Sequence, residues 1–258
     1  MKSSFKILFE DADVLVADKP AGIAVIPQRN IEVPCLQKEL EKTYGKLFVV
    51  HRIDKNTSGV ICFAKNEAAH KFLNEEFEKH NVKKLYKAIV RGRLMNKAGQ
   101  INFPIAPHPV KPNIMVTHPK GKKSLTIYKV EEEFKHASVL NVEIKTGRTH
   151  QIRVHLAAIG HGLLVDEVYA GADAFYLSSI KKNYKTKSTV LPDINIEDKE
   201  NKELLEMNTT EKPIISRLTL HASELHFHHP STKEVIICKS EMPDDLQVLL
   251  KLLRKYDV

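Results

Sequence analysis

The pattern of apolar and polar positions predicts a chain built mainly of short strands. Seven segments have the apolar runs or alternation typical of strands, at 13–19, 60–64, 85–90, 124–130, 138–145, 217–227 and 234–239. The fourth and fifth of these are expected to pair with each other. Together with the helices below, they predict an α+β domain with a mostly antiparallel sheet.

Four further segments have helical character. They are expected at 32–44, 66–78, 149–159 and from Pro243 to near the end of the chain. Asn66 is the expected N-cap of the second helix, and Gly160 the expected stop of the third. The last helix carries an apolar stripe of Leu246, Leu249, Leu250 and Leu253.

Length and composition narrow the class of protein. The chain has 258 residues, 42% of them hydrophobic, which suits one large globular domain and excludes general disorder. No apolar run is long enough to cross a membrane, and acidic residues at Glu10 and Asp11 interrupt the N-terminal region before a signal peptide could develop. Three separated cysteines fit a reducing compartment, so we expect a cytoplasmic protein.

Charge is distributed unevenly along the chain. The formal net charge is +8, yet residues 79–130 contain twelve Lys or Arg and no acidic residue, which leaves −4 for the rest (8 minus 12). A basic stretch of this kind predicts a face that binds a polyanion, although a solvated surface would look the same. A polar segment at about 177–213 is expected to be an inserted surface loop, with a short helix at 197–207.

The first candidate for chemistry is Asp54, which follows an apolar run and lies within the sequence HRIDKNTSG (51–59). Arg52 precedes it, and Thr57 and Ser58 follow. Cationic and hydroxyl neighbours would favour an ionised, nucleophilic carboxylate. A simple turn with a surface ion pair is the structural alternative.

The second candidate is Tyr86, flanked by Lys84 and Lys87 on a predicted strand. Its ring could stack on a nucleobase, with the hydroxyl free for polar contacts. The alternative is an ordinary half-buried tyrosine within a sheet.

The third candidate is the segment GRTHQIRVHL (147–156), which places two arginines, two histidines and a glutamine at a strand-to-helix junction. Its histidines lie five residues apart with no carboxylate between them, which argues against a metal site. Arginines in this setting suit phosphate contact or pairing with a carboxylate.

Histidines are also concentrated near the C-terminus, at positions 221, 226, 228 and 229, with Cys238 downstream. They raise the alternative of a metal-dependent hydrolase. No residue fixes a third ligand, so no metal is expected.

The three candidate segments, in this order, resemble the RluA-type family of RNA pseudouridine synthases. The matching patterns are HR-L-D-x-x-T-S-G at 51–59 (with Ile53 at the usual Leu), K-x-Y-x-A-x-V at 84–90, G-R-T-H-Q-I-R-x-H-L at 147–156, and shorter matches at 18–22 and 220–222. The resemblance extends from about Phe9 to the last helix. It implies a mixed, largely antiparallel sheet with flanking helices and a central catalytic cleft.

The resemblance also implies a reaction and its residues. The enzyme would isomerise uridines in ribosomal or transfer RNA to pseudouridine, with no cofactor. Asp54 would be the catalytic aspartate, Tyr86 would stack on the extruded base, and Arg153 would hold Asp54, with Arg148 as the second candidate for that role. Contacts to RNA are expected from Arg52, Thr57, Arg148, His150, Gln151, Lys122 and Lys123.

Departures from the family pattern are limited. Gly162 and Val165 replace a usual proline and glycine in the turn after the third motif, while Asp166 is retained. The first family-like strand begins so early that we expect a single catalytic domain over 1–258 without an S4 RNA-binding domain, and a monomer. A non-catalytic RNA-binding or ribosome-assembly factor on the same fold is the alternative function.

Overall fold

The computed structural model describes residues 5–27, 33–182, 184 and 211–258. The strands in this part of the chain are β1 (Ile7–Glu10), β2 (Val14–Lys19), β3 (Phe48–Val49), β4 (Ser58–Ala64), β5 (Lys83–Arg91), β6 (Ala98–Ile101), β7 (Ile105–Pro107), β8 (Met115–Thr117), β9 (Thr126–Glu133), β10 (Ala137–Ile144), β11 (Leu220–His228) and β12 (Val235–Lys239). The α-helices are α1 (Leu36–Tyr44), α2 (Glu67–Glu78), α3 (Gln151–Ala158) and α4 (Asp244–Tyr256).

Ten of the described strands form one sheet. Its main order is β1-β2-β4-β11-β5-β10-β9-β6, with β3 beside β4 and β12 beside β11. Every pairing between the ten strands of this sheet is antiparallel except that of β4 with β11. The predicted α+β class with a largely antiparallel sheet is therefore confirmed. The remaining strands, β7 and β8, form a separate hairpin.

Both faces of the large sheet are covered. Along β2, Leu15 and Ala17 enter one apolar cluster, while the alternating Val14 and Val16 enter another that includes Leu73 of α2. Alternation of this kind follows from the two-residue period of a strand. The leucines of α4 close a third cluster over β5 and β10, so the predicted apolar stripe of that helix faces the core.

The parallel pairing of β4 with β11 is made possible by Gly59 at the start of β4. A Cβ atom built there would lie 2.1 Å from the carbonyl oxygen of Ala222 in β11, and the residue has a φ of +114°. Only glycine fits both conditions. Ser58 Oγ next to it lies 3.0 Å from Nδ1 of buried His221. The loop that carries Asp54 is thereby fixed against the middle of the sheet.

Two predicted helix starts were wrong. The helix expected from 32 begins at Leu36, because Cys35 is extended and pairs with Ala24, and Pro34 disfavours helical geometry in the residue before it. The helix expected from 149 begins at Gln151, because His150 adopts the left-handed conformation, with φ 55°. The predicted cap is confirmed: Asn66 Oδ1 accepts a hydrogen bond from the Ala69 amide at 2.8 Å.

The predicted polar insertion lies largely outside the described residues, and so does its expected helix at 197–207. At its base, a 3₁₀ turn forms at Leu177–Ser179 and Phe175 pairs with Ile215. Within the part of the chain that the structure describes, no helix combines the length and hydrophobicity needed to cross a bilayer.

Candidate active site

The three sequence motifs meet in one cleft of about 1590 Å³. Asp54 comes from the loop before β4, Tyr86 from β5, and Arg153 from α3, and all three line the cleft. The predicted central cleft is therefore present. Seven other residues were expected at the site. Five of them also line the cleft: Arg52, Thr57, Arg148, His150 and Gln151. The other two, Lys122 and Lys123, lie outside its lining.

The Asp54 loop is a tight turn held from both ends. The Thr57 amide donates to the Asp54 carbonyl at 3.1 Å. On the other side, His51 Nε2 accepts the Cys62 amide at 3.0 Å, and its ring stacks on Phe77 with a centroid distance of 4.6 Å. These contacts tie the loop to β4 and α2, so the Asp54 carboxylate occupies a fixed place with 26% of its side chain exposed.

Lys19 also stabilises the Asp54 loop. No role was assigned to this lysine from the sequence. Its ammonium is completely buried and donates to the carbonyls of Pro20, Ile23 and Lys55, each at 2.9 Å. Burial lowers the pKa of Lys19 to about 7, against an opposing effect of nearby Asp54. The signal that could have identified it was the short match at 18–22.

Arg153 joins two carboxylates. It donates to Asp166 through Nε at 2.7 Å and Nη2 at 2.9 Å, and to Asp54 through Nη1 at 3.1 Å. Arg148, the second candidate for this contact, instead donates to the Lys123 carbonyl at 3.2 Å. The geometry therefore pairs Asp54 with Arg153. Asp166 is the important residue that sequence reasoning left without a role.

Tyr86 lies on β5 between Val142 of β10 and Ala222 of β11. It is 8% exposed, and burial, with a smaller effect from Asp54, raises the pKa of its hydroxyl. The hydroxyl therefore keeps its proton at neutral pH. A ring fixed within the sheet at the floor of a cleft can stack on a planar base that enters beside Asp54.

Gln151 needs a different interpretation from the predicted RNA contact. Its Oε1 accepts hydrogen bonds from Thr146 Oγ1 and the Arg148 amide, and its Nε2 donates to the Leu125 carbonyl and Thr126 Oγ1. Both atoms of the side-chain amide are hydrogen-bonded within the protein, and the residue is only 3% exposed. Gln151 therefore stabilises the loop before α3 instead of contacting RNA. His155, four residues later, lies 2.8 Å from the same Thr126 hydroxyl.

The other predicted RNA contacts differ in availability. Arg52 is exposed, lines the cleft and forms no ion pair with any described residue. Thr57 is 1% exposed, and its Oγ1 has no hydrogen-bond partner among the described residues. His150 is half-buried at the N-cap of α3, and its Nδ1 lies 2.8 Å from the Tyr169 hydroxyl.

Folding neutralises part of the basic stretch and leaves another part free. Lys79, Lys87 and Lys97 form ion pairs with Glu75, Glu131 and Glu133. By contrast, residues 105–123, comprising β7, β8 and their loops, form what we call the basic arm. Four lysines of this arm form no ion pair with described residues: Lys111, Lys120, Lys122 and Lys123. Part of this arm, at Pro107 and Asn113–Met115, borders the cleft.

The C-terminal histidines do not converge on one point. His226 pairs with Glu224 at 2.9 Å, His228 with Glu76 at 2.7 Å, and His229 with Asp11 at 2.6 Å. Each of these three histidines thus has its own carboxylate partner, whereas His221 lies between Ser58 Oγ and the Ser240 carbonyl. Among residues 5–27, 33–182, 184 and 211–258, no group of three or more His, Cys, Asp or Glu side chains could hold a metal ion.

Comparison with known proteins identifies the family. Residues 13–158, more than half of the chain, match the family model described as RNA pseudouridylate synthase. The chain belongs to the RNA pseudouridylate synthase family. As a member, it is an isomerase that converts uridine in RNA to pseudouridine.

The sequence similarity to known pseudouridine synthases extends over nearly the whole of this chain. It is 34% identical over 257 residues to ribosomal large subunit pseudouridine synthase D of Blochmanniella floridana, which covers 97% of this chain and 73% of that protein. It is 32% identical over 253 residues to the uncharacterized RNA pseudouridine synthase YhcT of Bacillus subtilis, covering 95% and 71%. The expected RluA-type membership is confirmed.

A solved structure supports the fold of the synthase independently. Human RNA pseudouridylate synthase domain containing 1 superposes with a TM-score of 0.67 at 22% identity, covering 99% of this chain and 97% of that one. The predicted pseudouridine synthase fold is therefore confirmed.

Proposed function

We propose that this synthase modifies uridines in ribosomal RNA and that Asp54 is its catalytic carboxylate. The observation that carries the proposal is the arrangement of Arg153, which binds Asp54 while Asp166 holds it through two further hydrogen bonds. An acidic group that lines a cleft and is oriented before substrate arrives meets the need for preorganisation in catalysis.

The reaction requires one bond to break and another to form at the same ribose carbon. The bond from C1′ to N1 of the uracil is broken, the base turns, and C5 bonds to C1′. C5 then loses its proton and N1 gains one, so the product is an isomer of uridine. A carboxylate can assist by attacking the sugar or base, or by removing a sugar proton to give a glycal-like intermediate. Both routes place Asp54 against the target nucleotide.

Tyr86 would provide the surface on which the extruded base rests. A base paired or stacked in RNA cannot reach a carboxylate inside a cleft, so the nucleotide has to leave its stack. The ring of Tyr86 is buried at the floor of that cleft, and stacking on an aromatic ring recovers about 1–3 kcal/mol per base.

Several cations are available to bind the RNA around the target uridine. Arg52 and Arg148 line the cleft, and the lysines of the basic arm, including Lys122 and Lys123, have no carboxylate partner among the described residues. Phosphate binding by such groups supplies most of the sequence-independent affinity for RNA. We also propose that the enzyme works as a monomer in the cytoplasm, a reducing compartment that suits its three free cysteines at 35, 62 and 238.

Ribosomal RNA is the proposed target because the relatives with assigned substrates include ribosomal large subunit pseudouridine synthases. The test is pseudouridine mapping on total RNA from cells with and without the gene. We expect specific ribosomal sites to disappear and to return with the wild-type gene but not with Asp54→Asn. Loss of sites only in transfer RNA, or no loss at all, would contradict the proposed target.

A further inference from the structure

The hydroxyl of Tyr169 connects two segments that are far apart in the sequence. It accepts the Met115 amide hydrogen at 2.9 Å and lies 2.8 Å from His150 Nδ1. Met115 begins β8 of the basic arm, and His150 precedes α3, which carries Arg153. One oxygen atom thus lies between the arm and the helix of the proposed active site.

The direction of these hydrogen bonds follows from the donors available. The Met115 amide can only donate, and burial, the largest influence, raises the pKa of Tyr169, so the phenol keeps its own proton. His150 Nδ1 is the remaining partner among the described residues, and it accepts that proton. Burial also lowers the pKa of His150, which favours the neutral ring needed for acceptance.

This assignment leaves the proton of neutral His150 on Nε2. His150 lines the cleft, and its Nε2 has no hydrogen-bond partner among the described residues. The backbone of His150 is also held at φ 55° and ψ 21°, a left-handed conformation that is uncommon for residues other than glycine. Strained residues that persist at a cleft are held there by their surroundings, and here the Tyr169 contact is part of that support.

Tyr169 also contacts the ion pair between Arg153 and Asp166. Its ring centroid lies 4.9 Å from the Arg153 guanidinium carbon, and its amide donates to Asp166 Oδ1 at 3.2 Å. Both of these contacts are independent of the hydroxyl. Replacing the hydroxyl alone therefore separates the hydrogen-bond chain from the packing around Arg153.

We propose that Tyr169 is a positioning residue, whose hydroxyl seats the basic arm beside α3 and fixes His150 as a neutral Nε2–H donor for an acceptor oxygen of the bound nucleotide. The acceptor would be a uracil carbonyl or a phosphate oxygen. The inference rests on the function proposed above, because it assigns RNA to the basic arm and the target nucleotide to the cleft.

The test compares Tyr169→Phe with Tyr128→Phe, a buried tyrosine of β9 that does not line the cleft. Loss of two neutral hydrogen bonds predicts that Tyr169→Phe lowers kcat about tenfold and weakens RNA binding about threefold. Tyr128→Phe should change neither by more than about twofold. Thermal unfolding of both variants checks that the fold is retained.

Nitrogen-15 NMR of the His150 ring supplies a readout that packing alone would not move. In the wild-type protein at neutral pH, the ring should be the Nε2–H tautomer, and Tyr169→Phe should shift it toward a mixture. A wild-type Nδ1–H tautomer, or a Tyr169→Phe protein with unchanged ring shifts, kcat and RNA affinity, would overturn the proposal. Absence of pseudouridine formation by wild-type protein would instead contradict the proposed function, since the tautomer is measured without turnover.

Discussion

The carboxylate of Asp166 holds the guanidinium of Arg153 through two hydrogen bonds, at 2.7 and 2.9 Å. Both side chains are buried, at 1% and 8% exposure. A bidentate pair of this kind fixes the plane of the guanidinium. The remaining nitrogen, Nη1, is thereby directed at Asp54, which lies 99 residues earlier in the chain.

Asp166→Asn is therefore expected to impair both stability and activity. Removing one charge of a buried pair leaves the other poorly compensated, which predicts a loss of about 3 kcal/mol in the free energy of unfolding. Pseudouridine formation should fall at least about tenfold even where the protein is fully folded, because Arg153 loses its fixed orientation. Urea unfolding and initial-rate assays on folded protein measure the two effects.

Asp245→Asn is the matched control for that substitution. Asp245 also receives two hydrogen bonds from an arginine, Arg217, but 44% of its side chain is exposed. Exposed pairs contribute about 1 kcal/mol or less. Equal losses of stability and activity in the two variants would show that Asp166 has no special role at the site.

The partly buried ring of His51 predicts acid sensitivity. Burial, with a smaller effect of Lys84, lowers the pKa of His51 from 6.5 to about 3. Between these values the unfolded chain binds a proton that the folded protein does not, so the free energy of unfolding falls as the pH drops below 6.5. The fall attributable to this residue is at most about 1.4 kcal/mol per pH unit.

His51→Gln should reduce that acid sensitivity, because glutamine can still accept the Cys62 amide but does not titrate. Urea unfolding between about pH 7 and pH 4 should give a shallower loss of stability than in the wild-type protein. His118→Gln, at an exposed histidine, should leave the wild-type slope in place. A parallel slope in His51→Gln would contradict the assigned pKa.

Charge reversal on the basic arm tests the proposed RNA contact. Lys122→Glu combined with Lys123→Glu should weaken RNA binding and lower the slope of log affinity against log salt by about one to two. The paired control is Lys251→Glu with Lys255→Glu, two exposed lysines of α4, a helix that does not line the cleft. Unchanged salt dependence in the arm variant, or the same change in both, would contradict the assignment.

Local sequence was sufficient to nominate Asp54, Tyr86 and Arg153 as candidate site residues, since each lies within a contiguous motif. The structure brings all three to one cleft. Local sequence was not sufficient for Asp166. That residue was visible only as the retained acid of an altered turn, and its pairing with Arg153 depends on how the chain folds back after α3. Tyr169 was missed for the same reason.

The charge pattern shows a second limit of sequence reasoning. A linear count gave twelve cations without an acid over residues 79–130, yet Lys87 and Lys97 pair with Glu131 and Glu133, just beyond that range. The pairing arises because β9 lies beside β6 and is separated from β5 only by β10. Four of the lysines without an ion pair among the described residues lie on the basic arm, which is outside the large sheet.

The most direct test of the account is pseudouridine formation by Asp54→Asn on a ribosomal RNA fragment containing a mapped target, with RNA affinity measured in parallel. The substitution keeps the size of the side chain and leaves the Arg153–Asp166 pair in place. We expect no detectable pseudouridine and RNA affinity within about threefold of the wild-type value, because phosphate contacts supply most of the binding. Normal pseudouridine formation by this variant would contradict the catalytic assignment.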